Sequence, residues 1–181
     1  MLGLIRNGMV FLALFYGVIF CGDSTSQSSP AVQEKNEFKV VNAKKFVFSY
    51  KVDGDNLIAR ISYPTAGWVG VGFNPVKMMQ GANFIIGSVA GDKTVISDEF
   101  GATKYSHAPD TAHGGKYDIV NSSVVSEKGM MTMSFTIPLR SGDDKDVVLE
   151  KGKPIKVIFA AGKKPDLGKK HSFLAGATIT L

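Results

Sequence analysis

The stretch FVFSYKVDGDNLIARISY, at positions 46–63, decides the fold class. On both sides of its centre, bulky apolar residues recur at every second position, which is the period of a strand with one buried face. The centre is Asp53-Gly54-Asp55-Asn56, and an Asp-Gly pair between two alternating runs is typical of a tight turn. The stretch therefore predicts an antiparallel β-hairpin.

Further short apolar runs follow along the chain, at 68–73, 84–89, 94–96, 131–137, 155–159 and 175–181. Glycine and proline separate these runs at short intervals. Beyond the first 21 residues, no window longer than about ten residues keeps the helical period. Many short strands with frequent turns are typical of a sandwich or barrel. We predict an all-β fold, an antiparallel β-sandwich of about nine to eleven strands.

The amino-acid composition excludes several classes of protein. The chain has 181 residues, a single Cys, three His, seven Met and a formal net charge of +5. One Cys excludes an intramolecular disulfide framework, a four-cysteine zinc site and a covalently attached c-type haem. The basic residues are scattered along the sequence, which argues against a nucleic-acid-binding protein. Histidine and methionine are therefore the residues to examine for chemistry.

The amino terminus has the pattern of a targeting segment. Residues 1–21 contain Arg6, an apolar run at 9–20 that is short for a membrane span, and then Cys21. This pattern predicts a signal peptide with a lipobox-like Cys21 as the lipidation site, although Phe20 is large for the position before it. An ordinary cleaved signal or an anchor is the alternative. The polar residues 22–36 predict a flexible tether, and 37–181 the folded domain.

Candidate metal ligands are few. His107 and His113 lie in YSHAPDTAHGGKYD, whose Pro and Gly predict a loop with exposed histidines, and His171 precedes the last predicted strand. Met78 and Met79 lie in a loop between two strands, where a thioether is either packed under the edge of the sandwich or used as a ligand. Methionines within the run 131–137 are expected to fill the core. The motifs GxSxG, GxxxxGK[ST], HExxH and CxxCH are absent from the sequence.

The acidic stretch SGDDKD, at 141–146, allows two interpretations. Its carboxylates could bind calcium, but the ligand order of an EF-hand loop is missing. A solvated turn is the favoured interpretation.

Taken together, these segments resemble a DOMON domain of the haem-binding kind, similar to the cytochrome domain of cellobiose dehydrogenase and to cytochrome b561-associated DOMON domains. The resemblance lies in the order and spacing of five segments: GWVGVGFN at 67–74, MQGANFIIG at 79–87, the loop with His107, FTIPL at 135–139 with GDDKD after it, and FAAG at 159–162 followed by His171. The sequence departs from the family pattern at Asn83, where an acidic residue is usual, and at Phe159, where Trp is common.

The resemblance implies an immunoglobulin-like sandwich and, in haem-binding members, a b-type haem clamped by a Met and a His. Carried over by motif, the ligands are Met79 and His171, with Met78 as an ambiguity of one residue. Met/His ligation suits electron transfer and raises the reduction potential relative to two histidines. Apolar residues near both loops are expected either to line the porphyrin or to pack in the core: Trp68, Phe73, Phe84 and Phe173.

The resemblance thus implies a membrane-tethered b-type cytochrome that carries electrons in the bacterial cell envelope. It would be an electron carrier and not an enzyme. The lipid would hold it on a membrane, and it would exchange electrons with a redox partner protein. One alternative is a module for carbohydrate or another ligand, using Tyr105, Tyr117 and Trp68 as surface aromatics. Another is a copper site built from Met78, Met79 and a His, and the last is a purely structural lipoprotein.

Overall fold

The computed structural model describes residues 37–181, which belong to one unit of the chain, Lys35–Leu181. The predicted signal peptide at 1–21, the lipidation site Cys21 and the tether at 22–36 lie outside the described residues. Within the described range, no helix is long and apolar enough to cross a membrane.

Residues 37–181 form eleven strands and one short 3-10 helix. The strands are β1 Lys39–Ala43, β2 Phe46–Asp53, β3 Asn56–Tyr63, β4 Trp68–Phe73, β5 Asn83–Ala90, β6 Lys93–Phe100, β7 Ala108–Pro109, β8 Asn121–Glu127, β9 Met130–Pro138, β10 Pro154–Ala161 and β11 Phe173–Thr180, and the 3-10 helix is Asp110–His113. They make a five-stranded sheet, β1-β2-β3-β9-β8, and a six-stranded sheet, β11-β10-β4-β5-β6-β7. All pairs are antiparallel, so the predicted all-β sandwich is confirmed.

The opening hairpin forms as predicted. β2 and β3 pair around a turn in which Gly54 has a φ of +57°, a left-handed conformation that glycine adopts without a steric penalty. The predicted runs at 68–73, 84–89, 131–137 and 155–159 all lie in strands. β1 and β8 were missed because they are edge strands with mostly exposed side chains. A strand without a buried face has little apolar alternation.

The main core lies between the two sheets. Its side chains come from alternate positions of the central strands, and rings from both sheets meet there: Phe48 and Phe159 lie 5.3 Å apart between centroids. Met131 and Met133 are fully buried, which confirms that they fill the core. Burying aromatic side chains of this size supplies much of the hydrophobic stabilisation of such a domain.

The six-stranded sheet also buries side chains on the face that points away from the main core. Because successive residues of a strand point to opposite faces, Val69, Val71 and Phe73 of β4 enter the main core, whereas Trp68 lies on the outer face. All six residues of β4 are buried. A strand buried on both faces indicates that other chain segments cover the outer side of this sheet.

Candidate functional site

A second apolar cluster lies on the outer face of the six-stranded sheet. Its members come from β4, β5, β10 and the two loops described below, and we call this set the outer-face cluster: Trp68, Ala82, Phe84 and Ile86, with Met79, Ile158, Ala160 and Leu167 packed against them. The four first-named residues are at most 6% exposed. The cluster is separate from the main core.

Two glycines of β4 form the floor of this cluster. Gly72 pairs with Phe84 and with Ile158, and a Cβ placed on Gly72 would overlap the Phe84 ring. At Gly70, a Cβ would lie 3.1 Å from the side chain of Ile86. The missing side chains let the Phe84 ring and the Ile86 side chain pack directly on the backbone of the sheet.

The loop between β4 and β5 carries Met79 and is held by Gly101. The Gly81 amide donates to the Gly101 carbonyl at 2.8 Å, and the Gly101 amide donates to the Ala82 carbonyl at 2.9 Å. A Cβ on Gly101 would overlap the carbonyl oxygen of Met79, so the two segments approach as closely as glycine permits. Met79 packs against the outer-face cluster, whereas Met78 has a φ of +56° and is 55% exposed.

A second loop, at 162–172, crosses the outer face at the other end of β4. The Gly162 amide donates to the Trp68 carbonyl at 2.9 Å, and the Thr65 hydroxyl donates to the Gly162 carbonyl at 2.6 Å. Farther along, the Ser88 hydroxyl donates to the Pro165 carbonyl at 3.3 Å. The Nε1 atom of Trp68 is buried and has no hydrogen-bond partner within residues 37–181.

His171 lies at the end of this second loop and is half-buried. Burial lowers the pKa of His171, and the charges of Lys170 and His107 lower it further, against a backbone hydrogen bond that raises it. The influence of His107 indicates that these two histidines lie within electrostatic range of each other. A lowered pKa favours the neutral imidazole at neutral pH, which is the form that binds a metal.

His107 is not the exposed loop histidine that the sequence predicted. Its Nδ1 atom is hydrogen-bonded to Glu99 Oε2, and its ring lies 5.1 Å from that of Phe84. Burial alone would raise the pKa of Glu99, but hydrogen bonds from His107 and Ser97 bring it below its usual value. Because Glu99 pairs with Phe84 in the sheet, the Glu99–His107 pair borders the outer-face cluster. His113 is exposed, as predicted.

The structure divides the four residues that were expected to line a cofactor. Trp68 and Phe84 belong to the outer-face cluster. Phe73 is fully buried in the main core, with its ring 6.3 Å from that of Phe135, and Phe173 packs on the same core with its ring 5.0 Å from Tyr63. The expectation for Phe73 and Phe173 is corrected, because strand alternation turns both side chains toward the five-stranded sheet.

The three aromatic residues suggested for sugar binding differ in exposure. Trp68 is 2% exposed, so its assignment as a surface aromatic is wrong. Tyr105 and Tyr117 are 76% and 52% exposed. Without Trp68, these two tyrosines are what remains of the proposed sugar-binding surface.

The acidic stretch at 141–146 is more than a solvated turn. Asp144 is exposed and accepts a hydrogen bond from Lys145 at 2.7 Å, as a solvated turn would predict. Asp146, by contrast, is partly buried and lies with Asp98 and Asp110 in a cluster of carboxylates. Sequence reasoning missed this cluster because its members are distant along the chain.

The fold and the site define the class of protein. It is a β-sandwich with a buried apolar cluster on the outer face of one sheet. The family model for the DOMON domain matches residues 42–162, so the chain belongs to the DOMON domain family. His171 lies beyond the matched residues. The comparison with curated proteins finds no match.

Two solved structures share the fold. The chain is similar to the cytochrome b domain of pyranose dehydrogenase from Coprinopsis cinerea, with 14% identity, a TM-score of 0.53 and coverage of 74% of this chain and 75% of that chain. It is also similar to the cytochrome domain of Myriococcum thermophilum cellobiose dehydrogenase, with 10% identity, a TM-score of 0.55 and coverage of 80% and 81%. At these identities the likeness establishes the fold alone.

Proposed function

We propose that the protein is a b-type cytochrome in which the outer-face cluster would hold haem b, with Met79 and His171 as the ligands of its iron. The observation that carries this proposal is the buried apolar cluster outside the six-stranded sheet, with Met79 packed against it and the loop of His171 folded over it. The fold shared with two cytochrome domains supports the same assignment.

The residues present fit a haem. A porphyrin is large, flat and mostly apolar, and the outer-face cluster offers it apolar side chains that include the aromatic rings of Trp68 and Phe84. The ligand pair combines a thioether with an imidazole that burial keeps neutral. When bound with both axial positions filled, such a haem supplies one-electron redox chemistry. The surrounding apolar side chains would exclude water and thereby influence the potential.

Met79 is a better ligand than its neighbour. Met78 is mostly exposed, whereas Met79 packs against the outer-face cluster from a loop whose backbone is hydrogen-bonded to Gly101. A ligand held in this way loses little conformational entropy on binding iron. The Glu99–His107 pair has a different role, which is to hold the Phe84 side of the site in place.

We further propose that Cys21 carries the lipid and that residues 22–36 tether the domain to a membrane of the bacterial cell envelope. The protein would pass electrons to or from a redox partner there and would have no catalytic turnover of its own. The loop at 163–170 carries Lys163, Lys164, Lys169 and Lys170, all exposed, and one acidic residue, Asp166. A basic loop beside His171 favours a partner with an acidic docking surface.

Absorption spectra of the full chain, expressed with haem and compared in oxidised and reduced forms, test this proposal. We expect a Soret band and sharp α and β bands on reduction. Met79→Ala and His171→Ala should each shift the spectrum toward a high-spin form, because each removes one axial ligand. Met78→Ala and His113→Ala are the matched controls and should retain the spectrum. A purified full chain without haem absorbance after haem-replete expression would refute the proposal.

A further inference from the structure

Five separate segments of the chain bring oxygen atoms to one place at the edge of the sandwich. Asn83 begins β5, Asp98 lies in β6, Asp110 begins the 3-10 helix, Asp118 precedes β8, and Asp146 lies between β9 and β10. One carboxylate oxygen from each of Asp98, Asp110 and Asp146 lies within 4.8 Å of the others. We call these five residues the edge cluster.

Several of these oxygens are buried without a partner. Asp110 is 1% exposed, and neither of its carboxylate oxygens has a hydrogen-bond partner within the described part of the chain. Asp98 is 3% exposed; its Oδ2 atom accepts the Asp118 amide at 2.9 Å, and its Oδ1 atom has no partner within 37–181. Leaving a buried carboxylate unpaired is strongly unfavourable, so an additional group is expected to satisfy these atoms.

A neutral side chain points to the same place independently of the acidic residues. Asn83 is 4% exposed, and its Nδ2 atom donates to Asp146 Oδ1. Its carbonyl oxygen is buried and has no partner among the described residues. An amide that uses its donor on a carboxylate and leaves its acceptor unpaired beside other acceptors is the arrangement expected around a cation.

The crowding of these carboxyl groups also raises their affinity for protons. Burial, together with the neighbouring carboxylates, raises the pKa of Asp110 to about 7. Asp98 has a pKa of about 7 for the same main reason, and Asp146 one of about 6. Lys145 lies within electrostatic range of Asp110, but its ammonium group donates to the exposed Asp144. Either protons or a cation must therefore neutralise these carboxylates.

We propose that the edge cluster is a binding site for a divalent cation of the calcium class, with Asp98, Asp110, Asp146 and the Asn83 carbonyl oxygen as ligands. The donors are all oxygens, which hard cations prefer over zinc or copper. Calcium accepts six to eight oxygens in irregular geometry, and three carboxylates and an amide oxygen from four segments suit it better than the strict octahedron of magnesium. A cavity of about 220 Å³ whose lining includes Ser141, Asp143 and Asp146 adjoins the site at Asp146.

Thermal unfolding of the full chain in mild detergent tests the proposal. The protein is compared in excess EGTA, in 1 mM CaCl2 and in 1 mM MgCl2, and isothermal titration with CaCl2 gives the stoichiometry. We expect calcium to raise Tm by about 5 °C or more, magnesium to raise it less, and one ion to bind per chain. An unchanged Tm with no binding heat would overturn the proposal, and a larger shift with magnesium would overturn the assignment to calcium.

Matched variants locate the ion. Asp110→Asn keeps the shape of the side chain but removes a charge, and it should abolish the calcium-dependent shift in Tm. Asp144→Asn removes an exposed charge from the adjacent loop and should retain the full shift. If Asp110→Asn does not fold, Asp146→Asn serves the same purpose, because its side chain is only partly buried. Calcium-dependent shifts retained in the Asp146 variant would overturn the site assignment.

Discussion

Asn83 and Phe84 are consecutive residues of β5, and their side chains serve opposite faces of the six-stranded sheet. Asn83 donates to Asp146 in the edge cluster, whereas Phe84 packs in the outer-face cluster with its ring 5.1 Å from that of His107. The same alternation separates Asp98 from Glu99 on β6. One pair of strands therefore borders both the proposed cation site and the proposed haem site.

This arrangement connects the two proposed sites through the backbone. Ala82 immediately precedes Asn83, and its amide donates to the Met79 carbonyl at 3.2 Å. An ion that held Asn83 would therefore also hold the base of the loop that carries Met79. The connection is mechanical, since it runs through consecutive residues and one hydrogen bond.

Replacing Gly101 with alanine tests whether the backbone contact positions Met79. The new Cβ would overlap the carbonyl oxygen of Met79, so the loop must move away. We expect the reduced spectrum of the holoprotein to lose the features of Met ligation while His171 remains bound, and the haem to dissociate more readily. Gly91→Ala is the control, because it strains a left-handed glycine of the β5–β6 turn, at the end of β5 opposite Met79, and should cost stability without changing the spectrum. A wild-type spectrum for Gly101→Ala would contradict this role of Gly101.

The stability of the metal-free protein should depend on pH through the edge cluster. Asp98 and Asp110 titrate near pH 7 in the folded state and at their ordinary value of 3.8 when unfolded, so the folded protein binds protons more tightly. In EGTA, stability should therefore fall as pH rises from about 4 to 7 and then level off. Urea unfolding between pH 4.5 and 8.5 measures this slope.

Two variants identify the source of that pH dependence. Asp98→Asn keeps an acceptor for the Asp118 amide and should reduce the slope. Asp92→Asn removes an exposed carboxyl from the β5–β6 turn, outside the edge cluster, and should leave the slope unchanged. A profile of Asp98→Asn identical to that of the wild type would show that another group is responsible.

The basic loop beside His171 should influence the rate of electron transfer. Oxidation of the reduced holoprotein by ferricyanide, an anion, should become slower as ionic strength rises, because salt screens attraction over about 10 Å at 0.1 M. Lys164→Gln and Lys169→Gln should each lower the rate at low salt. Lys153→Gln should not, because Lys153 is exposed just before the start of β10, whereas the basic loop follows the end of that strand. Stopped-flow absorbance follows the reaction. A rate that is independent of salt would exclude this loop from the electron-transfer surface.

Much of the fold follows from local patterning. The segment 46–63 has strict apolar alternation and an Asp-Gly pair that favours a tight turn. The structure forms the antiparallel strands β2 and β3 there, paired around that turn. The edge strands β1 and β8 lack such a pattern because few of their side chains are buried. The sequence did not predict the short β7 or the 3-10 helix that follows it. They have little local signal, because β7 is stabilised by pairing with β6, which is a tertiary contact.

In the candidate site, too, some residues were predictable from the sequence and others were not. Met79 and His171 were predicted as haem ligands through the family resemblance. The structure packs Met79 against the outer-face cluster and leaves His171 half-buried at the end of the 162–172 loop, and their ligation stays a prediction. For Phe73 and Phe173 the sequence left cofactor lining and core packing open, and the structure packs both on the main core, because nearness in sequence to a ligand does not specify which side of a strand a residue occupies. The Glu99–His107 pair had no recognisable signal, since a lone loop histidine is most often exposed.

The sequence by itself determined the strand content, the sandwich class and the scarcity of soft ligands, because alternation and composition are local properties of a chain. Tertiary structure alone decided which apolar residues face outward and which carboxylates meet. Asn83, Asp98, Asp110 and Asp146 come together only after four segments pack against one edge, and their burial then raises the pKa values of the three acids. Burial and proximity between distant residues are created by the folded chain, so no local pattern specifies them.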